Sequence, residues 1–258
     1  MEIAGAHIVV TGGASGIGKG LARRFAEDGA RAVVVADRNK DGAKAVADEI
    51  GPVAIAAALD VRDADATQAL VDAAIARNGP IDLFCSNAGI VVRGGVEVPT
   101  KEWQLIWDVN VMAHVHAARA VLPSMLERKR GYLLQTASAA GLLSQIGSAP
   151  YAVTKHAAVA FGEWLSIEYG DRGIGVSVLC PQAVHSGMTA GITGDRAAAV
   201  DGILEPEDVA QCVVDGLREE KFLILPHPEV KDYYQRRVID TDRWLAGMRR
   251  LRARVFKE

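Results

Sequence analysis

Cysteine is scarce in this chain: Cys85, Cys180 and Cys212 are the only three in 258 residues. An odd number with no CxxC spacing and no clustered histidines builds neither a disulfide framework nor a zinc site. No metal is expected, and a reducing cytoplasm suits the chain best. An excess of one charge sign is also lacking, since 29 Lys and Arg face 32 Asp and Glu for a net charge of -3. Such a surface has no overall field to draw in a phosphate backbone or anionic lipid, which argues against nucleic acid as a partner. Glu2 stands where a signal peptide would be basic, and the apolar run from Ile3 breaks at Thr11-Gly12-Gly13, so no export is expected. One uncharged stretch, Gly131 to Thr154, is long enough to span a bilayer, but it carries Gln135, Thr136, Ser138, Ser144, Gln145, Ser148 and Pro150. No membrane helix is expected there. Internal repeats, low-complexity segments and Pro/Gly-rich linkers are absent as well.

What is present is enough chain, 50% of it hydrophobic, to bury a full core. Short β-branched apolar runs recur at Ile8 to Val10, Ala32 to Ala36, Val53 to Leu59, Leu83 to Ser86, Tyr132 to Thr136, Val176 to Leu179 and Phe222 to Leu225. Segments of helical spacing lie between most of them; Leu21 and Phe25 form one such face, which stops at Gly29, a natural helix C-cap. Runs that are apolar throughout suit strands buried on both faces. Regular βα alternation then predicts an α/β fold, a doubly wound parallel sheet of about seven strands with helices on both faces, in a single domain over 1–258. The last stretch differs. From Lys231 to Glu258 there are nine Lys or Arg against four Asp or Glu, and Trp244, Met248, Leu251 and Val255 fall at i, i+4, i+7 and i+11. That is an apolar stripe on a basic amphipathic helix, able to face the core, another subunit or a membrane surface, with docking on protein the ordinary outcome.

The turn Thr11-Gly12-Gly13-Ala14-Ser15-Gly16-Ile17-Gly18 follows the first strand and opens the first helix, where backbone N–H groups and the helix dipole can hold a pyrophosphate. No Lys-Ser or Lys-Thr follows Gly18, which disfavours a nucleoside triphosphate. Ile17 stands where a G-x-S-x-G nucleophile elbow needs glycine, which excludes a hydrolase built on Ser15. The second strand ends at Asp37, an acidic side chain able to accept from ribose hydroxyls and to repel a 2′-phosphate, so NAD is expected over NADP. Arg38, beside it, is the cation that such a phosphate would seek.

With Asp60-Val61, Asn87-Ala88-Gly89, Asn110, Ser138 and Tyr151-x-x-x-Lys155 in that order, the chain resembles the short-chain dehydrogenase/reductase family from its first strand to about Met188. The resemblance implies a Rossmann-type fold and a cofactor turn at Thr11 to Gly18. It further implies an adenine contact at Asp60-Val61, a sheet-supporting motif at Asn87-Ala88-Gly89 and a catalytic tetrad of Asn110, Ser138, Tyr151 and Lys155, with Asn110 holding a relay water. It also implies a homo-oligomer, dimer or tetramer, formed through the helices carrying Asn110 and Tyr151. The chemistry follows without the family. Hydride transfer from a secondary alcohol needs a base for the hydroxyl proton; Tyr151 is that base if its pKa, ordinarily near ~10, is brought down by the Lys155 ammonium one helical turn away and by a positive nicotinamide. Ser138, at a strand end, can bond the substrate oxygen, and Lys155 can also hold the nicotinamide ribose. His114 and His116, two apart on one helix, are read as structural.

The segment Pro181-Gln182-Ala183-Val184-His185-Ser186 departs from the family pattern. By the resemblance, Ser186 keeps the hydroxyl with which the family's threonine contacts the nicotinamide carboxamide, with Pro181 and Val184 beside it, while Gln182 replaces the family's glycine and either alters the loop or contacts substrate. Substrate identity is expected in Val91 to Val96, Ala139 to Ala149 and a lid from His185 to Ile203, with Gly187, Gly191 and Gly194 letting it move. Leu142, Leu143, Ile146, Met188 and Ile192 predict an apolar pocket, Gln145 and Gln182 its polar points, and Arg93 and His185 its few cations. The expected activity is NAD-dependent oxidation of an apolar or aromatic secondary alcohol, or reduction of the ketone. The alternatives are an NADPH-dependent carbonyl reductase of the same fold and a non-enzymatic dinucleotide sensor using its basic tail as a scaffold.

Overall fold

The structure, a computed structural model, describes residues 1–188 and 199–256. Gly191, Ile192 and Gly194, named above for the lid and pocket, lie outside the described residues. The first half runs β1 (His7–Thr11), α1 (Gly16–Glu27), β2 (Ala32–Asp37), α2 (Lys40–Ile50), β3 (Ala54–Ala58), α3 (Ala64–Asn78) and β4 (Leu83–Ser86). Then come α4 (Thr100–Trp107), a π-helical turn (Asp108–Met112), α5 (Ala113–Glu127), β5 (Gly131–Thr136), α6 (Ala140–Leu143), α7 (Ala149–Tyr169) and β6 (Ile174–Leu179). The last elements are α8 (Pro206–Arg218), β7 (Leu223–Ile224), α9 (Glu229–Ile239) and α10 (Thr241–Phe256).

All strand pairs are parallel, in the order β3-β2-β1-β4-β5-β6-β7. The sheet is apolar on both sides because helices cover both. Ile8 and Val10 turn one way and pack with Leu21 and Phe25 of α1, Val46 of α2 and Val209 and Val213 of α8. Val9 turns the other way, with Val71 of α3, Val121 and Met125 of α5 and Leu165 of α7. Full burial of side chains such as Phe25 and Ile8 stabilises the fold by roughly 1.5–3 kcal/mol each. Asp63 and Asn39 cap α3 and α2 through bonds from Ala66 N and Gly42 N. Gly29, at φ +85°, turns the chain out of α1, as its position predicts.

Every strand points its carboxyl end to the same edge. The order reverses between β1 and β4, and the crevice opened there is where a doubly wound sheet holds its ligand. The basic tail is not one helix. It breaks at Asp240, whose extended backbone (φ -147°) separates α9 from α10.

Candidate active site

Glycine is required in the turn after β1 for a specific reason. Gly12 and Gly16 sit at φ +67° and +51°, and a Cβ on Gly18 would lie 2.1 Å from the Gly12 carbonyl oxygen. The backbone therefore folds tightly against the start of α1, leaving a cradle for a diphosphate at the helix N-terminus. Asp37 closes its side: its carboxylate accepts from Ala14 N at 3.1 Å and from Asn39 N at 2.9 Å. Ser186 comes from the far side of the crevice, its Cβ 3.1 Å from where a Gly16 Cβ would stand. The turn, Asp37 and Ser186 are thus brought together, and their chemistry fits a dinucleotide. Arg38 stands exposed beside them.

Asn87 joins three strands. Its N–H donates to Thr11 Oγ1 and its Nδ2 to Thr11 O, while its Oδ1 accepts from Thr136 Oγ1. Ala88 N also donates to Thr11 Oγ1. A Cβ on Gly89 would be 3.4 Å from both Asn110 Oδ1 and Lys155 Nζ, so those groups converge there. Just past β3, Asp60 is gripped by Arg62, which pulls its carboxyl below the usual range. Val61 lines a cavity of about 10 Å³, one water's room, with Thr11, Ala88 and His114.

Asn110 lies on the π-helical turn, fully buried. Its Oδ1 accepts from Ile90 N at 2.9 Å and its Nδ2 donates to Ile90 O at 3.0 Å and to Thr154 Oγ1 at 3.3 Å. Ser138 follows β5; its hydroxyl donates to Pro181 O and accepts from Ala140 N. Tyr151 opens α7 and bonds Ser138, and Lys155 Nζ stands 5.6 Å from the Tyr151 ring while donating to Thr136 O at 2.9 Å. Burial is the largest influence on Tyr151 and raises its pKa, with the Ser138 bond working the other way. Burial likewise brings Lys155 down to about 8.

The substrate segments are rearranged relative to expectation. Leu142 is not a pocket residue: it is buried against Ala158 and Val159, and its carbonyl accepts from Arg237. His185 is an exposed partner of Glu205 at 3.6 Å, and Met188 is also exposed. Val184 is buried and bridges to Leu204. Gln182 acts mainly as a tie: its Nε2 donates to Asp201, which also accepts from Tyr233 OH of α9. Gln182, Gln145, Leu143 and Ile146 nonetheless line one groove of about 720 Å³, closed on its other side by α9 and α10. Thr136, Ile90, Asp201 and Arg237 were not foreseen. Three of these act through backbone or through side-chain ties between distant segments, which no local spacing encodes; Thr136, at the carboxyl end of β5, was placed where it could have been noticed.

Residues 6–197 match the family model described as short chain dehydrogenase. The chain belongs to the short chain dehydrogenases. Relatives in this family include the 1-deoxy-11-beta-hydroxypentalenate dehydrogenase of Streptomyces avermitilis, 37% identical with 90% of this chain and 88% of the relative covered. The meso-2,3-butanediol dehydrogenase of Serratia marcescens is 32% identical, covering 79% and 83%. Among solved structures, a short chain dehydrogenase/reductase from Burkholderia phymatum in complex with NAD superposes with a TM-score of 0.85 at 29% identity, over 94% of this chain and 96% of that one. As a short chain dehydrogenase, the protein is an oxidoreductase of the kind that works with a nicotinamide dinucleotide. No helix among the described residues is long and apolar enough to cross a membrane.

Proposed function

We propose that this protein is an NAD-dependent dehydrogenase of apolar secondary alcohols, or a reductase of the matching ketones. The observation that carries this is the convergence of Ser138, Tyr151 and Lys155 at the carboxyl end of β5, against the glycine turn. Bound NAD would supply the hydride acceptor and a positive charge near Tyr151. The chain supplies the rest. Ser138 orients the substrate oxygen. Tyr151 takes the hydroxyl proton during oxidation and returns it during reduction, and Lys155 holds the ribose and passes the proton outward beside Asn110. The relatives named as dehydrogenases of a hydroxypentalenate and of a butanediol support an alcohol substrate.

NAD is preferred because Asp37, fixed by Ala14 N and Asn39 N, keeps acceptor capacity toward the crevice. NADH in the complex of a 29% identical 3-ketoacyl-(acyl-carrier-protein) reductase from Brucella melitensis is consistent with that choice. The exposed Arg38 favours the second reading, NADPH use, and Asp37→Ser decides between them: NADP turnover should rise while the KM for NAD rises. Assembly as a homo-oligomer through the helices carrying Asn110 and Tyr151 belongs to the same proposal.

The decisive assay follows NADH formation over a panel of secondary alcohols. Tyr151→Phe should lower kcat by about a hundredfold or more while leaving NAD binding intact. The two protonation states of Tyr151 give the pH dependence its sign. Phenolate is the base for oxidation, so kcat for oxidation should climb toward alkaline pH; phenol is the acid for ketone reduction, which should hold at neutral pH and fall as pH rises. Matching limbs in both directions would overturn the assignment.

A further inference from the structure

We infer that the groove under α10 is the seat of the substrate's distal end, and that this end carries a carboxylate or comparable anion. The inference rests on the dehydrogenase reading for the reacting end only. The groove runs to about 720 Å³, within the range of pockets that enclose a small organic molecule. Its apolar walls are Leu143 and Ile146 on the core side and Trp244, Met248 and Leu251 on α10. The α10 stripe thus looks into the groove and is only half-buried.

Two features point to an anionic occupant. Arg236, Arg243 and Arg250 all line the groove, and none takes part in a salt bridge among the described residues. Among the described residues Asp240 is the sole carboxylate of the lining, and one of its oxygens already accepts from Arg243 N. The rim is therefore cationic. Guanidinium groups beside apolar walls suit a carboxylate at the end of an apolar body. Continuity with the reacting end comes through Gln182, which lines the groove and directly follows Pro181, the acceptor of the Ser138 hydroxyl.

The test compares secondary alcohols bearing a terminal carboxylate, in graded chain lengths, with their methyl esters, in the wild type and in the Arg243→Gln/Arg250→Gln double variant. The wild type should prefer the acid by about fivefold or more in kcat/KM at its best length, through KM, and the double variant should lose that preference. Calorimetric titration with decanoate, which has no alcohol to oxidise, reads the groove independently of chemistry. Decanoate binding that weakens in the double variant supports the groove assignment even if no alcohol is ever oxidised, in which case the dehydrogenase reading alone fails. Acid and ester handled equally by the wild type, with decanoate binding unchanged by the substitutions, overturns the inference. So does binding of α10 to anionic vesicles without any preference for the acid, which would make the stripe a membrane face.

Discussion

His114 and Tyr151 are both enclosed, and burial shifts each toward its neutral form, in opposite directions on the pH scale. Among the described residues His114 finds no partner for either ring nitrogen, and burial, aided by the Lys155 charge, brings its pKa down to about 3. The unfolded chain therefore binds a proton below about pH 6.5 that the folded protein refuses, so stability falls as pH drops through that window by up to about 1.4 kcal/mol per unit. Melting temperatures taken from about pH 7 to about pH 5 should decline more steeply for the wild type than for His114→Gln. Single residues also show what local sequence encodes. Tyr151 and Lys155 were legible because a YxxxK pair on one helix turn has few other uses alongside a glycine turn. The commitment of Asn110 to Ile90 was not, since a backbone partner twenty residues away leaves no mark in composition.

At the scale of elements, the strands were the most legible part, because a parallel strand covered on both faces must be apolar at every position. The exceptions have physical reasons. β7 forms only two ladder residues, and the π-helical turn at Asp108–Met112 has no side-chain signature separating it from the helices on either side. The tail's break at Asp240 lacks the Gly or Pro that usually announces one. The turn after β1 makes the firmest prediction at this scale. Gly18→Ala would press a methyl group onto the Gly12 carbonyl, so cofactor affinity should fall at least about tenfold in a fluorescence titration, with the far-UV spectrum of the sheet retained. α7 leaves Val153, Trp164 and Ile167 exposed. Light scattering after size exclusion should show a species larger than one chain if that face is the proposed contact.

For the whole molecule, the cofactor half and the groove are held by different ties. Arg237 fastens α9 by donating to Leu142 O and contacting His156 at 3.0 Å. Arg237→Gln should release that wall and raise the KM for bulky alcohols about tenfold or more, matching about 1.5–3 kcal/mol for a lost bond to a charged donor, while the cofactor affinity stays at its original value. Steady-state kinetics with one bulky and one small alcohol separates the two effects.

The strand order carries a consequence for how such a chain comes off the ribosome. In the order β3-β2-β1-β4-β5-β6-β7, each strand in turn joins an edge that already exists: β2 and β3 extend the sheet one way, then β4 to β7 extend it from the other side of β1. No strand must be wedged between two that have already paired. The sheet can therefore grow in the order of synthesis: the Asn87 bonds to Thr11 can close as soon as the fourth strand has emerged, and the bond from Thr136 follows with the fifth, about midway along the chain.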